Sequence, residues 1–405
     1  MLEKKILLQF GAGKIGRSFI AQLFSKAGYQ IVFADIDPCL VKSINEAGHY
    51  NVIIKGPDFE DRYIVDDIKA IEIGTGKKVV TYITEADILS ISVGKKSLLN
   101  LAELLARGIK NRYLTRRNSP LDIILAENVR DAASLISAKI SEYIPEIDLD
   151  EYVGFVETSI GKMVPLMTAE HLRKDPLAIH TEAYNTLIVD ELGFRNKIPD
   201  IPELLPKKNM KAWVDRRFFI HNLGHVVLAY QSHYLYPEIK YIWEAINRKD
   251  LYTTTRNTML QSASILQNLY PEEFTLLQLE EHIDDLLHRF SNKALMDTVF
   301  RVGSDLARKL STEDRLITPI LQAMNLNMEY DLILDAWVKG CYFAAEDEDG
   351  NVRIEDSNFR KKYNHDAKEI LMGHCQLPPE TEGFLAAKID ELVRNLNKTG
   401  EKANT

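Results

Sequence analysis

This sequence has few cysteines, and its net charge is negative. Its three cysteines, Cys39, Cys341 and Cys375, lie far apart in a chain of 405 residues. So small and odd a number argues against a disulfide framework, the spacing is not that of a zinc site, and we expect a reducing compartment. Acidic residues outnumber basic ones by 59 to 50, which gives a net charge of −9. Neither a nucleic acid nor an anionic membrane is therefore an expected partner.

Long apolar runs and repeats are also missing. The run Ile6–Phe10 near the N-terminus is too short to span a membrane, and no small-residue cleavage site follows it. With 45% hydrophobic residues, a chain of this length can bury the cores of two domains. We therefore expect a cytoplasmic, two-domain protein that acts on small molecules.

The first part of the chain alternates short apolar runs with helix-like segments, the βαβα pattern of a parallel sheet covered by helices on both faces. Strands are predicted at 5–10, 30–35, 78–83, 88–93, 121–126 and 152–157, and helices at 14–27 and 40–47. Beyond the proline-containing stretch 197–206, apolar residues follow helical spacing. The predicted fold class is α/β, with a Rossmann-type doubly wound parallel sheet in domain 1–195 and a mostly α-helical domain 196–405.

A glycine motif connects the first predicted strand and helix. The residues Gly11-Ala12-Gly13-Lys14-Ile15-Gly16 match G-x-G-x-x-G. In this context Gly11 makes a tight turn, Gly13 lets the backbone approach a pyrophosphate, and Gly16 lets helix and strand pack closely. The amide groups at the helix N-terminus then face the phosphates. The motif therefore predicts that these six residues form a dinucleotide site.

An acidic residue at the end of the second strand predicts which dinucleotide binds. Asp35 stands 19 residues after Gly16, where a carboxylate accepts hydrogen bonds from the ribose hydroxyls and repels a 2′-phosphate, so NAD is favoured over NADP. The alternative is a structural turn with a solvent-facing aspartate. Val93 and Gly94 end a later strand on the ligand side of such a sheet, where they are expected to line the nicotinamide half of the site.

A second polar group lies in the helical part. Arg217, Asn222 and His225 follow one another at spacings of five and three, so one helix can direct all three toward a cleft. Taken alone, the pattern is more typical of satisfied polar residues at a domain interface. His221 and His233 invite a metal interpretation together with His225, but no acidic ligand has suitable spacing, so we expect no metal.

The stretch from Val214 to His225 resembles the signature of the polyol-specific long-chain dehydrogenases, the mannitol dehydrogenase family, in which a lysine is followed by asparagine and histidine at these spacings. Further matching segments follow in the family's order over about residues 5 to 340. They are Phe10-Gly11-Ala12-Gly13, Ile15-Gly16-Arg17, Phe33-Ala34-Asp35, Ala126-Glu127-Asn128, Gly154-Phe155-Val156, Met163-Val164-Pro165, Arg301-Val302-Gly303, Arg308-Lys309-Leu310-Ser311 and Asp314-Arg315-Leu316-Ile317.

The resemblance implies a metal-independent, NAD-dependent oxidation of a secondary alcohol in a linear polyol, polyol phosphate or sugar acid, in a cleft between the two domains. In the family a lysine is the general base and two asparagines hold the substrate oxygen, here Asn128 and Asn222. Neutral amides suit this role because they donate hydrogen bonds to a developing alkoxide without titrating. The resemblance also implies that the protein is a monomer and that the substrate is contacted by His225, Glu127, Arg301 and Lys309.

The sequence departs from the family at the base. Arg217 stands in the position of the family's lysine, and a guanidinium, which stays protonated, is a very poor base. Lys162 stands where the family has an arginine, as if the two residues had been exchanged. One interpretation makes Lys162 the base, with burial beside Arg217 favouring its neutral form, and the other treats it as a conservative surface replacement. Two other functions stay open: a sugar epimerase that retains NAD, and a redox-inactive protein that binds NAD and a sugar.

Overall fold

The computed structural model describes residues 4–74, 76–127, 131–165 and 167–398. The chain forms two compact units, Met1–Val214 and Asp215–Thr405. All the strands of the two described sheets belong to the first unit, and the second unit is built from helices. None of the described helices combines the length and the apolarity that a membrane span requires.

Eleven strands make up the two sheets in the described part of the first unit. They are β1 (Ile6–Phe10), β2 (Gln30–Asp35), β3 (Tyr50–Lys55), β4 (Glu60–Val65), β5 (Ile68–Glu72), β6 (Ile88–Ile91), β7 (Leu121–Leu125), β8 (Val153–Ile160), β9 (Ile179–Glu182), β10 (Leu187–Asp190) and β11 (Leu204–Lys207). Eight of them form one sheet in the order β11-β10-β8-β7-β6-β1-β2-β5, and the other three form a sheet in the order β4-β3-β9.

The position of β1 in the large sheet creates a ligand crevice. β1 pairs in parallel with β2 on one side and with β6 on the other, so the chain changes direction across the sheet at this strand. In open α/β sheets, ligands bind beyond the carboxyl ends of the strands at such a point. The loops that follow β1, β2 and β6 are therefore the expected walls of the site.

Helices cover both faces of the large sheet. Those of the first unit are α1 (Ala21–Lys26), α2 (Pro38–Ala47), α3 (Lys77–Glu85), α4 (Lys95–Leu98), α5 (Ala102–Thr115), α6 (Ala132–Ser141), α7 (Leu149–Tyr152) and α8 (Ala169–Lys174), with a π-helical turn at Gly16–Ile20. Neighbouring residues of a strand point to opposite faces. Leu8 of β1 accordingly packs in one core with Ile83 of α3, whereas Leu7 packs in the other core with Phe19.

The predicted fold class, a Rossmann-type α/β sheet followed by a mostly helical part, is confirmed, with two corrections. Residues 78–83 are not a strand, because they lie in α3. Their β-branched side chains suggested a strand, but Val79 and Ile83 are four residues apart and both buried, which is the helical pattern. The sheet is also not purely parallel, because β10 runs antiparallel to β8.

The second unit contains eleven further α-helices among its described residues. They are α10 (Leu223–Leu235), α11 (Ile242–Ile246), α12 (Lys249–Leu269), α13 (Leu276–Phe290), α14 (Val299–Gly303), α15 (Leu306–Lys309), α16 (Ile317–Asn325), α17 (Asp331–Cys341), α18 (Ile354–Lys362), α19 (Ala367–His374) and α20 (Pro379–Lys398), preceded by α9 (Met210–Arg216) and a π-helical turn at Arg217–Asn222. Helix α10 packs against α12, α14 and α17. It therefore belongs to the core of this unit.

Candidate active site

The glycine loop after β1 is tightly packed at both ends and open in the middle. Gly11 has a φ of +85°, and a Cβ there would lie 2.5 Å from the carbonyl oxygen of Ser92. A Cβ on buried Gly16 would collide with the carbonyl oxygen of Gly11. A Cβ on exposed Gly13, by contrast, would meet no atom within 4 Å. The loop thus leaves open space beside Gly13, on the side where the motif predicts the pyrophosphate.

Asp35 is bonded directly to this loop. Its Oδ2 accepts a hydrogen bond of 2.6 Å from the backbone amide of Ala12. The carbonyl oxygen of Ala12 accepts a 2.7 Å hydrogen bond from Nε of Arg17. The Nη1 of Arg17 donates to Leu177 O at 2.6 Å. The carboxylate predicted to bind the ribose is therefore brought next to the glycine loop. Arg17, to which the sequence analysis gave no role, connects the loop to Leu177.

Glu127 holds the turn after β6. Its Oε1 accepts hydrogen bonds from the amides of Val93 at 2.5 Å and Gly94 at 2.7 Å. Burial raises the pKa of Glu127, although these two bonds lower it. The carboxylate therefore fixes the two residues that are predicted to line the nicotinamide half, and its contact with the substrate stays a prediction. Asn128 lies outside the described residues.

A buried glutamine joins the loops after β1 and β6. Gln9 is fully buried, and its Nε2 donates to Phe10 O at 2.6 Å and to Ser92 Oγ at 2.9 Å. Sequence reasoning missed this residue. The signal was a polar side chain inside an otherwise apolar strand, because burying an amide is costly unless it is hydrogen-bonded.

In the second unit, a π-helical turn carries two of the predicted residues. It runs from Arg217 to Asn222 and continues into α10, which carries His225. Each π-helical bond spans five residues instead of four, so Arg217 and Asn222 lie nearer to one face than α-helical geometry allows. The backbone oxygen of Asn222 accepts a bond of 3.4 Å from Arg315 Nη1. An α-helical period, which the sequence analysis assumed, does not anticipate this alignment.

Asp297 links two other predicted residues. His225 Nε2 lies 3.0 Å from Asp297 Oδ2, and Arg301 Nε donates to Oδ1 at 2.6 Å. Burial by itself raises the pKa of Asp297, but the pairs with His225 and Arg301 lower it overall. Burial also lowers the pKa of His225 against the opposing effect of Asp297, which favours the neutral imidazole. Sequence reasoning missed Asp297, although it stands four residues before Arg301, at helical spacing.

Lys309 lies near this group at the end of α15. It is 6% exposed, and its Nζ donates a hydrogen bond of 2.6 Å to Val302 O. The buried carboxylate of Asp314 pairs with Arg315 Nε at 2.6 Å and with Arg308 Nη1 at 2.8 Å. Predicted substrate residues of the second unit are therefore placed by α10, α14 and α15, whose order in the chain gives no hint of their proximity.

Lys162 belongs to the first unit. It is 7% exposed, so it is a buried residue and not a surface one. Its Nζ donates to Tyr184 O at 2.8 Å and to Asn185 Oδ1 at 2.9 Å, and it lies 5.2 Å from the ring centre of Phe19. Its role as a base stays a prediction.

Two protein-family models match the sequence of this chain. Residues 5–203 match the mannitol dehydrogenase Rossmann domain, and residues 209–372 match the mannitol dehydrogenase C-terminal domain. The chain belongs to the mannitol dehydrogenase family. The glycine loop and Asp35 lie in the first match, and Arg217, Asn222 and His225 lie in the second.

Solved structures share the fold of this family member. A D-sorbitol dehydrogenase in a substrate-free form has a TM-score of 0.77 and 16% identity, over 99% of this chain and 94% of that chain. A Pseudomonas fluorescens mannitol 2-dehydrogenase, solved as a ternary complex with NAD and D-mannitol, has a TM-score of 0.76 and 14% identity, over 98% and 93%. At these identities the likeness shows a common fold.

The buried histidine of the π-helical turn predicts that this family member loses stability in acid. Burial, together with the charge of Arg289, holds the pKa of His221 well below 6.5. The unfolded chain therefore binds a proton that the folded chain does not, and stability falls as the pH drops below 6.5, by up to about 1.4 kcal/mol per pH unit for this group. Urea midpoints at pH 7.5, 6.5 and 5.5 would measure the slope. H221Q is expected to make the pH dependence of the midpoint less steep, and H49Q, at an exposed site, is expected to leave it unchanged. Equal slopes for H221Q and the unsubstituted protein would contradict the assignment.

Proposed function

We propose that this protein is an NAD-dependent dehydrogenase that interconverts a secondary alcohol of a linear polyol, polyol phosphate or sugar acid and the corresponding ketone. The observation that carries the proposal is the bond between Asp35 and the glycine loop, in a chain of the mannitol dehydrogenase family. The proposal treats domains 1–195 and 196–405 as the cofactor and substrate parts.

The residues of the first unit fit a dinucleotide. The space beside Gly13 is open, the amide-rich turn at Lys14 and Ile15 begins the following helix, and Asp35 supplies a carboxylate where a 2′-phosphate would be repelled. When bound, NAD would supply the hydride acceptor for oxidation of the carbinol carbon of the substrate. Val93 and Gly94, fixed by Glu127, would limit where the nicotinamide lies. The Pseudomonas fluorescens relative of the same fold was solved with NAD.

In the second unit we assign the contacts with the substrate to neutral hydrogen-bond donors and to a histidine held by the carboxylate of Asp297. Asn222, with Asn128, would donate hydrogen bonds to the oxygen that becomes charged. His225, held against Asp297, would orient a hydroxyl of the substrate, and the partly exposed Arg301 would contact its polar chain. Arg217 can stabilise an oxyanion but cannot serve as the base, since a guanidinium keeps its proton.

Mannitol 1-phosphate and fructose 6-phosphate are the first substrate pair to assay. The motifs resemble most those of mannitol-1-phosphate 5-dehydrogenase. Unphosphorylated polyols and aldonates belong in the same panel.

The deciding experiment measures NADH formation by absorbance, with NAD and this panel of substrates. It covers about pH 6 to 10, a range that brackets the pKa expected of the catalytic base. Turnover with NAD and little with NADP is the expected result. Tight NAD binding without turnover on any member would contradict the proposal and favour the redox-inactive binding protein that Arg217 suggests. Conversion of a sugar without release of NADH would favour the NAD-retaining epimerase.

A further inference from the structure

Lys309 is a buried lysine without a carboxylate partner among the described residues. Its only hydrogen bond there goes from Nζ to the carbonyl oxygen of Val302 at 2.6 Å, although an ammonium group has three hydrogens to donate. The two nearby carboxylates are taken by arginines, Asp305 by Arg308 at 2.6 Å and Asp314 by Arg315 at 2.6 Å. The surroundings therefore favour the uncharged amine.

A second buried lysine shows what is missing at Lys309. Lys339 is 7% exposed, and its Nζ pairs with Asp335 at 2.8 Å. Lys309 is as deeply buried, but its Nζ bonds a backbone carbonyl oxygen instead of a carboxylate. Burial and the charges of Arg315 and Arg308 lower the pKa of Lys309 to about 7. Lys309 is then a base at physiological pH, which is rare for a lysine.

The position of Lys309 connects it to the substrate group of the second unit. Its acceptor, Val302, follows Arg301 in α14, and α14 packs against α10, which carries His225. Burial lowers the pKa of His225, and the charges of Arg301 and Lys309 add to the effect, so the amine lies within electrostatic reach of the imidazole. The Nζ of Lys162, the rival candidate, donates to Tyr184 O and Asn185 Oδ1 in the first unit.

We infer that Lys309 is the general base of this enzyme, an inference that rests on the proposed function. In alcohol oxidation the uncharged Nζ takes the proton of the reacting hydroxyl as the O–H bond breaks. The hydrogen on the carbinol carbon leaves with its electron pair to the oxidised nicotinamide, and the C–O bond becomes a carbonyl. The ammonium group then releases its proton to water. Ketone reduction runs these steps in reverse, with the ammonium group as the acid.

Arginine substitution separates a base from a mere positive charge. K309R keeps the charge but cannot accept a proton, so kcat/KM for oxidation is expected to fall roughly 100- to 1000-fold. K309A should be equally inactive and should regain activity with added methylamine. The matched control K339R, at the ion-paired buried lysine, should stay within about twofold, and K162R tests the rival base. The unsubstituted enzyme should oxidise faster as pH rises through about 7, since only the uncharged amine is the base, and reduce faster below it.

A measurement without substrate or cofactor tests the same amine. Competitive acetylation followed by mass spectrometry gives the reaction rate of each lysine against pH, and access changes the height of the curve but not its midpoint. The Lys309 curve should have its midpoint near pH 7, where the rates of ordinary lysines, with a pKa of about 10.4, are still rising. A midpoint near that ordinary value would overturn the inference.

Failure of the proposed function and failure of the Lys309 inference give different experimental results. If the unsubstituted protein turns over no polyol, polyol phosphate or sugar acid, the proposed function is wrong, and the inference is wrong with it. If it turns over a substrate and K309R does so within a few-fold, the inference alone is overturned. Loss of turnover in K162R with an active K309R would likewise assign the base to Lys162.

Discussion

Replacement of Asn222 by alanine is expected to lower kcat by roughly 100- to 1000-fold with little change in KM. Asn222 ends the π-helical turn and directly precedes α10, a core helix of the second unit, and its backbone oxygen accepts a bond from Arg315. The backbone that carries this side chain is therefore held in place before the substrate arrives. A donor of this kind acts mainly on the charge that develops in the transition state, so its loss falls on kcat.

Two further variants show whether the amide acts as a donor. N222D keeps the shape but offers only acceptors when ionised, so it is expected to be at least as inactive as N222A. N325A removes an exposed amide at the end of α16 and should not change kcat. An N222D enzyme with nearly full kcat would mean that Asn222 serves packing. Steady-state kinetics on the best substrate of the panel would supply all three values.

Much of the first unit could be predicted because its signals are local. The strands that became β1, β2, β6, β7 and β8 are short apolar runs, and the motif from Gly11 to Gly16 owes its meaning to the strand before it and the helix after it. The same local reasoning placed a strand at 78–83, because the β-branched residues there suit a strand as well as a helix. Only the burial of Val79 and Ile83 on one face decides for α3.

The rest of the site could not be predicted because its parts are distant in the chain. Asp297 acquires its role from His225, which is far from it in sequence, and Glu127 from the amides of Val93 and Gly94. A π-helical turn cannot be recognised from residue spacing, so the alignment of Arg217 with Asn222 could not be predicted. The environment of Lys309 depends on arginines and carboxylates already paired with one another, and no sequence pattern encodes which pairs form.

Alanine at Gly13 and alanine at Gly16 are expected to fail in opposite ways. A methyl group on Gly13 meets no protein atom within 4 Å, so G13A should fold as stably as the unsubstituted protein. The same methyl group would occupy the space predicted for the pyrophosphate. An overpacked contact costs about 1–3 kcal/mol, so NAD binding should weaken by roughly 10- to 100-fold.

At Gly16 the methyl group would strike the carbonyl oxygen of Gly11, which is backbone and cannot turn aside. G16A is therefore expected to lose about 1–3 kcal/mol of unfolding free energy before any ligand is added. Urea unfolding and calorimetric titration with NAD, applied to both variants, separate the two effects. Unchanged NAD affinity in G13A would show that the cofactor does not approach the backbone there, and the assignment of this loop to the pyrophosphate would then fail even if the protein still bound NAD.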